Sequence, residues 1–101
     1  MQWILKILAV SQDDIYRQAG SPDFILTDGR SFDTKRLTGQ AVYISRLQLN
    51  MITASYPDTN VLVFKPREPD PIAIIPVTYI DPNQPSSLTY GKWGKFYIRL
   101  T

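Results

Sequence analysis

Cysteine and histidine are both absent from this chain of 101 residues. Without cysteine there is no disulfide, no thiolate nucleophile and no cysteine zinc site. A cysteine-free chain suits any redox compartment. Without histidine the usual general base is missing, as are the Ser-His-Asp relay and the commonest transition-metal ligand. Glutamate occurs once, at Glu68, inside a proline-rich loop. These gaps point away from an enzyme and give no cofactor or metal set. A large charge of one sign is missing too. The net charge of +2 exerts no strong pull toward DNA or a membrane surface, so any basic partner site must be local.

Long apolar runs are also scarce. None approaches the roughly 20 residues needed to span a bilayer. The opening stretch Met1 to Val10 is apolar, but it lacks a basic leading region. Lys6 splits it, and Asp13 and Asp14 follow. It does not read as a signal peptide. The expectation is a soluble chain without membrane contact.

A length of 101 residues fits one domain, 1–101, with a modest core. Eight prolines, seven of them after residue 56, leave little room for helix in the second half. Residues 2–10 read as a strand apolar on both faces. Ser11 to Asp14 resembles a helix start, with an N-cap serine and two acids at the positive end of the dipole. One short helix is therefore expected near 12–19. Residues 23–34 read as a hairpin: Phe24 to Leu26, a type I′ turn at Asp28-Gly29, then Arg30 to Phe32.

Residues 40–54 fit two periods. Leu47, Leu49 and Met51 alternate as in a strand, while Ile44, Leu47, Met51 and Ala54 follow helical spacing. Val, Ile, Tyr and Thr favour the strand. Val61 to Phe64 is a short buried strand. Ile72 to Ile80 is another, placed by Pro76 at a sheet edge or a bulge. Asp81 to Tyr90 reads as a loop. The expected fold is mainly β: a β-sandwich or small barrel of six or seven strands with one short helix near 12–19. The alternative is α+β with a helix at 40–54.

Few constellations carry chemistry. Asp13-Asp14 serves a helix terminus. Asp23, Asp28 and Asp33 lie five apart, but Arg30 stands where a calcium loop needs a ligand, so turn chemistry is expected. Arg30, Lys35 and Arg36 form a small basic group near the hairpin. Lys65 and Arg67 lie beside Glu68 and Asp70 in a mixed-charge loop. Gly91-Lys92-Trp93-Gly94-Lys95 shares only its glycines and lysines with phosphate loops, and the spacing is wrong.

The last twelve residues stand out. They hold three cations, no acid and four aromatics. They read as a strand with Phe96, Ile98 and Leu100 on one face, and Lys95, Tyr97, Arg99 and Thr101 on the other. Tyr90, Lys92, Trp93, Lys95, Tyr97 and Arg99 form the candidate interface. Trp, Tyr and Arg concentrate at protein interfaces. The expected function is a non-catalytic structural or interaction protein, self-assembling or bound to a protein partner in a larger assembly. By general type this would be a virion component, such as a phage capsid decoration (cement) or tail protein. The alternative is a module binding single-stranded nucleic acid or glycan through the same face, with stacking on the aromatics and cations on the backbone.

Overall fold

The computed structural model describes residues 15–17, 20 and 22–101. The expected strand at 2–10 and the acid pair Asp13-Asp14 lie outside the described residues. Among the described residues eight strands, against the six or seven expected, form two open, mixed sheets. The first holds β1 (Ile15–Arg17), β2 (Phe24–Leu26), β3 (Ser31–Arg36), β5 (Asn60–Phe64) and β6 (Pro71–Pro76), in the order β1-β2-β3-β5-β6. The second holds β4 (Ala41–Ile44), β8 (Gly94–Leu100) and β7 (Ser86–Gly91), with β8 central. One helix, α1 (Arg46–Ser55), and a 3-10 turn (Val77–Tyr79) complete the described elements. The mainly-β reading with one short helix holds, and neither sheet closes into a barrel. The described helix lies at 46–55, and within the helix expected near 12–19 residues 15–17 are strand.

Residues 15–17 are strand because Ile15 and Tyr16 favour extended backbone and β2 offers a ladder, with Ile15 opposite Leu26 and Arg17 opposite Ile25. The hairpin β2–β3 forms as the sequence reads, but its turn differs. The Gly29 amide donates to the Leu26 carbonyl at 3.0 Å, and the Leu26 amide to the Arg30 carbonyl at 2.8 Å. This is a three-residue loop, Thr27-Asp28-Gly29. Only Gly29 takes a positive φ, of 95°, whereas a type I′ turn needs two such residues.

The ambiguous segment 40–54 divides at Ser45. Val42 and Ile44 enter the core from β4, and the helix begins one residue later. Ser45 is its N-cap, in extended conformation, with its Oγ accepting from the Gln48 amide at 3.3 Å. Tyr56 ends it by donating its amide to the Ile52 carbonyl, and Pro57 disfavours helical backbone at Tyr56. The buried face is Leu49 and Ile52, while Leu47 and Met51 point outward. The helical spacing read from Ile44, Leu47, Met51 and Ala54 thus marked the wrong face.

Val61 to Phe64 are all buried, as a strand covered on both faces requires. The main core joins Val61 and Val63 to Leu49 and Ile52, and to Val42, Ile44, Phe96 and Ile98 of the second sheet. Two parallel pairings, β3 with β5 and β4 with β8, organise these layers. β8 is held on both sides by its own domain, and Phe96 and Ile98 face inward. Residues 86–90, read as part of the loop from Asp81 to Tyr90, belong to strand β7 because β8 supplies a ladder from Ser86–Arg99 to Gly91–Gly94.

Candidate functional site

The β7–β8 turn is shaped by two glycines with different tasks. Gly94 takes a φ of 113°, which side-chain-bearing residues rarely adopt. Gly91 allows a close approach: a Cβ there would lie 2.6 Å from the Ile72 carbonyl oxygen. That carbonyl faces away from β5, where the β6 register shifts. Val63 pairs with Ala73 and Phe64 with Pro71, leaving Ile72 unmatched. The Ile72 carbonyl instead accepts from the Lys92 amide at 2.7 Å. Lys92 and Trp93 are thereby fixed at the tip of the turn.

Trp93 is 61% exposed and does not cover the end of the strand. The Lys92 ammonium lies 5.4 Å from its ring centroid, and the Lys65 ammonium 5.5 Å. Lys65 follows β5 and comes from the other sheet, so the loop of mixed charge contributes to this site after all. A cleft of about 280 Å³ beside Trp93 includes Lys65, Lys95, Gly39 and Gln40 in its lining. No signal in the local sequence connects Lys65 to Trp93, because only the tertiary pairing brings them together.

Cross-strand neighbours share a face. Tyr90 lies opposite Lys95, Leu88 opposite Tyr97, Ser86 opposite Arg99, and on the other flank Tyr43 opposite Arg99. The outer face of the second sheet therefore carries Tyr43, Leu88, Tyr90, Lys95, Tyr97 and Arg99, with Trp93 at its rim. Tyr43, Leu88, Tyr90 and Trp93 are exposed. The Arg99 guanidinium sits 5.2 Å from the Tyr97 ring. Strands β4, β7 and β8 contain no acid. Among the described residues, Lys65, Lys92, Lys95 and Arg99 form no ion pair. All six residues of the sequence candidate lie on this face or its rim. Tyr43 and Leu88 were missed, although Tyr43 alternates with buried Val42 and Ile44.

No protein-family model, curated protein or solved structure matches the chain.

Around the β2–β3 hairpin the charged groups are engaged within the fold. Arg30 donates its Nε to Asp28 at 2.8 Å. The Arg30 backbone and guanidinium hold the Asp28 carboxyl below its usual range. Lys35 reaches Gln48 at 2.8 Å and Asp33 at 3.4 Å. Arg36 donates to the Lys65 carbonyl at 2.9 Å. The basic group Arg30, Lys35 and Arg36 is thus three separate contacts. Asp23 and Asp33 meet across the hairpin. The Asp23 carboxylate accepts from the Thr34 amide and hydroxyl at 2.9 and 2.8 Å, and its own amide donates to Asp33 at 3.2 Å. Burial pushes the Asp33 carboxyl up to about 6, with Asp23 adding to the rise and Lys35 opposing it. Among the described residues, no group of three or more acids stands ready for a metal ion, and no helix is long and apolar enough to cross a membrane.

Proposed function

We propose that this is a non-catalytic interaction protein whose working surface is the outer face of the β4–β8–β7 sheet. The observation that supports this reading is an exposed aromatic face, rimmed by cations that pair with no acid among the described residues. Exposed tyrosine and tryptophan beside arginine match the composition of interface hot spots. The cations of Lys92, Lys95 and Arg99 favour a partner with acidic side chains, through complementary charge. The rigid turn presents Lys92 and Trp93 in a preset geometry, which lowers the ordering cost on binding.

The wider assignment places the chain in a larger assembly, on general type a virion component such as a phage capsid decoration or tail protein. A second reading has an observation in its favour. An acid-free sheet face with Tyr43, Tyr90, Tyr97 and Trp93 between cations also suits single-stranded nucleic acid, or glycan stacked on the rings. The low net charge weighs toward the protein partner, since nucleic-acid affinity rises with the number of phosphates neutralised.

Quantitative affinity capture from the source material tests both. The wild type is compared with the exposed variants Trp93→Ala and Arg99→Ala, with and without nuclease. A protein partner retained after nuclease and lost from both variants supports the first reading. Loss only on nuclease treatment turns the assignment to nucleic acid. Equal retention by all three chains removes this face from the account.

A further inference from the structure

The edges of the two sheets face each other across a groove of about 400 Å³. Among the described residues, β6 ends one sheet and β7 the other. Two hydrogen bonds fix which backbone groups point into the groove. The Val77 amide donates to the Thr59 carbonyl at 2.8 Å. Alternation then turns Ile75 and Ala73 toward β5, and Ile74 and Pro76 away from it. Pro76, having no N–H, loses no ladder bond at an outward position. On the facing edge, the Leu100 amide donates to the Pro85 carbonyl at 2.9 Å. Ser87, Thr89 and Gly91 therefore face β8, while Leu88 and Tyr90 turn outward. The edges join at one point, the Lys92 amide to the Ile72 carbonyl. Beyond it, among the described residues, the outward backbone groups of Ile74 and Tyr90 have no partner. The side chains of Ile74, Tyr79 and Tyr90 border the groove and are all exposed.

We infer that this groove takes up an extended, acidic segment of a partner protein as an added strand between β6 and β7. This rests on the reading of the chain as a protein-binding module. An extended chain offers the N–H and C=O groups that two facing open edges lack, and open edges are templates for such pairing. Ile74, Tyr79 and Tyr90 supply apolar contact for its alternate side chains. The acidic character follows from charge. Among the described residues no acid lines the groove, Lys92 stands at its closed end, and Lys95 and Arg99 lie beyond on the same sheet. A second copy would bring the same cationic lining to the contact, so complementarity selects a different chain.

The test is isotope-edited NMR of the full chain with a capped decapeptide alternating valine and glutamate. Amide exchange at Ile74 and Tyr90 is expected to slow by about tenfold at saturation. Tyr79→Ala and Tyr90→Ala, both at exposed positions, are expected to weaken binding by roughly threefold or more with the spectrum otherwise intact. The same peptide methylated on alternate backbone nitrogens should bind about tenfold more weakly, because it loses the ladder donors. Absence of any shift with millimolar peptide overturns the inference. So does protection of the Ile74 and Tyr90 amides in the peptide-free monomer, since the edges would then be paired within the chain. Protection that grows with protein concentration alone makes a second copy the occupant, and equal slowing by oligothymidine makes it nucleic acid. Either result overturns the inference. Shifts confined to Trp93, Lys95 and Arg99 overturn strand addition and leave the outer-face reading standing.

Discussion

Replacing Asp33 with asparagine should flatten the dependence of stability on pH. Asp33 is buried, with 1% of its surface exposed, and its carboxyl titrates near 6 in the folded chain against 3.8 when unperturbed. Burial is the main cause; Asp23 adds to it and Lys35 opposes it. Below 3.8 both folded and unfolded chains carry the proton, and the group contributes nothing. Between 3.8 and 6 the unfolded chain ionises while the folded one resists, so stability falls as pH rises. Above 6 both are ionised, and the whole loss, on the order of 3 kcal/mol, is in place. Over the window from about pH 5 to pH 7 the wild type should lose about 1 kcal/mol. The Asp28 carboxyl shifts the opposite way, and its contribution falls at lower pH, outside that window. The asparagine side chain keeps an acceptor for the Asp23 amide and has no proton to lose. Urea unfolding at several pH values measures this. With a slope of about 2 kcal/mol/M the wild-type midpoint should drop by roughly 0.5 M from pH 5 to 7. The Asp33→Asn midpoint should stay level. Parallel curves for the two proteins, or a wild-type midpoint that rises with pH, would refute the reasoning.

Gly91→Ala should lower stability by about 1–3 kcal/mol, because its Cβ would press on the Ile72 carbonyl, a backbone atom that cannot swing aside. A thermal melt unchanged from wild type would show that the two sheet edges do not meet as described. Leu49→Ala should cost about 2–5 kcal/mol and Leu47→Ala less than about 0.5, since the first is buried and the second 71% exposed. Chemical denaturation of the pair checks which face of the helix packs inward, and similar costs for the two would contradict it.

Much of the fold was legible where local pattern and tertiary demand agree. The alternation of Phe96, Ile98 and Leu100 located β8 and the run Val61 to Phe64 located β5; Pro76, read as an edge or a bulge inside a strand from Ile72 to Ile80, instead ends β6, an edge among the described residues, and Val77–Tyr79 form a 3-10 turn. The β2–β3 hairpin was readable from Asp28-Gly29, although the turn type depended on where the ladder closed. Residues 46–55 were harder, because their apolar residues fit both periods. Ser45 and Gln48, three apart as in a capping box, were the overlooked signal. Residues 15–17 show a ladder outweighing local helix cues. Six site residues were visible as aromatics and cations close in sequence. Lys65 was not, because it reaches Trp93 from another sheet. The Asp23–Asp33 contact likewise depends on hairpin register, which composition does not reveal.

Oxidative footprinting of the chain in the partner complex proposed for it, against the free chain, tests the central claim most directly. Trp93 and Tyr90 are both exposed in the free protein, while Met51, on the exposed side of α1, serves as the internal reference at 53% exposure. The outer-face account predicts that Trp93 and Tyr90 lose most of their reactivity in that complex while Met51 reacts as before. Protection of Met51 with Trp93 and Tyr90 unchanged would contradict it.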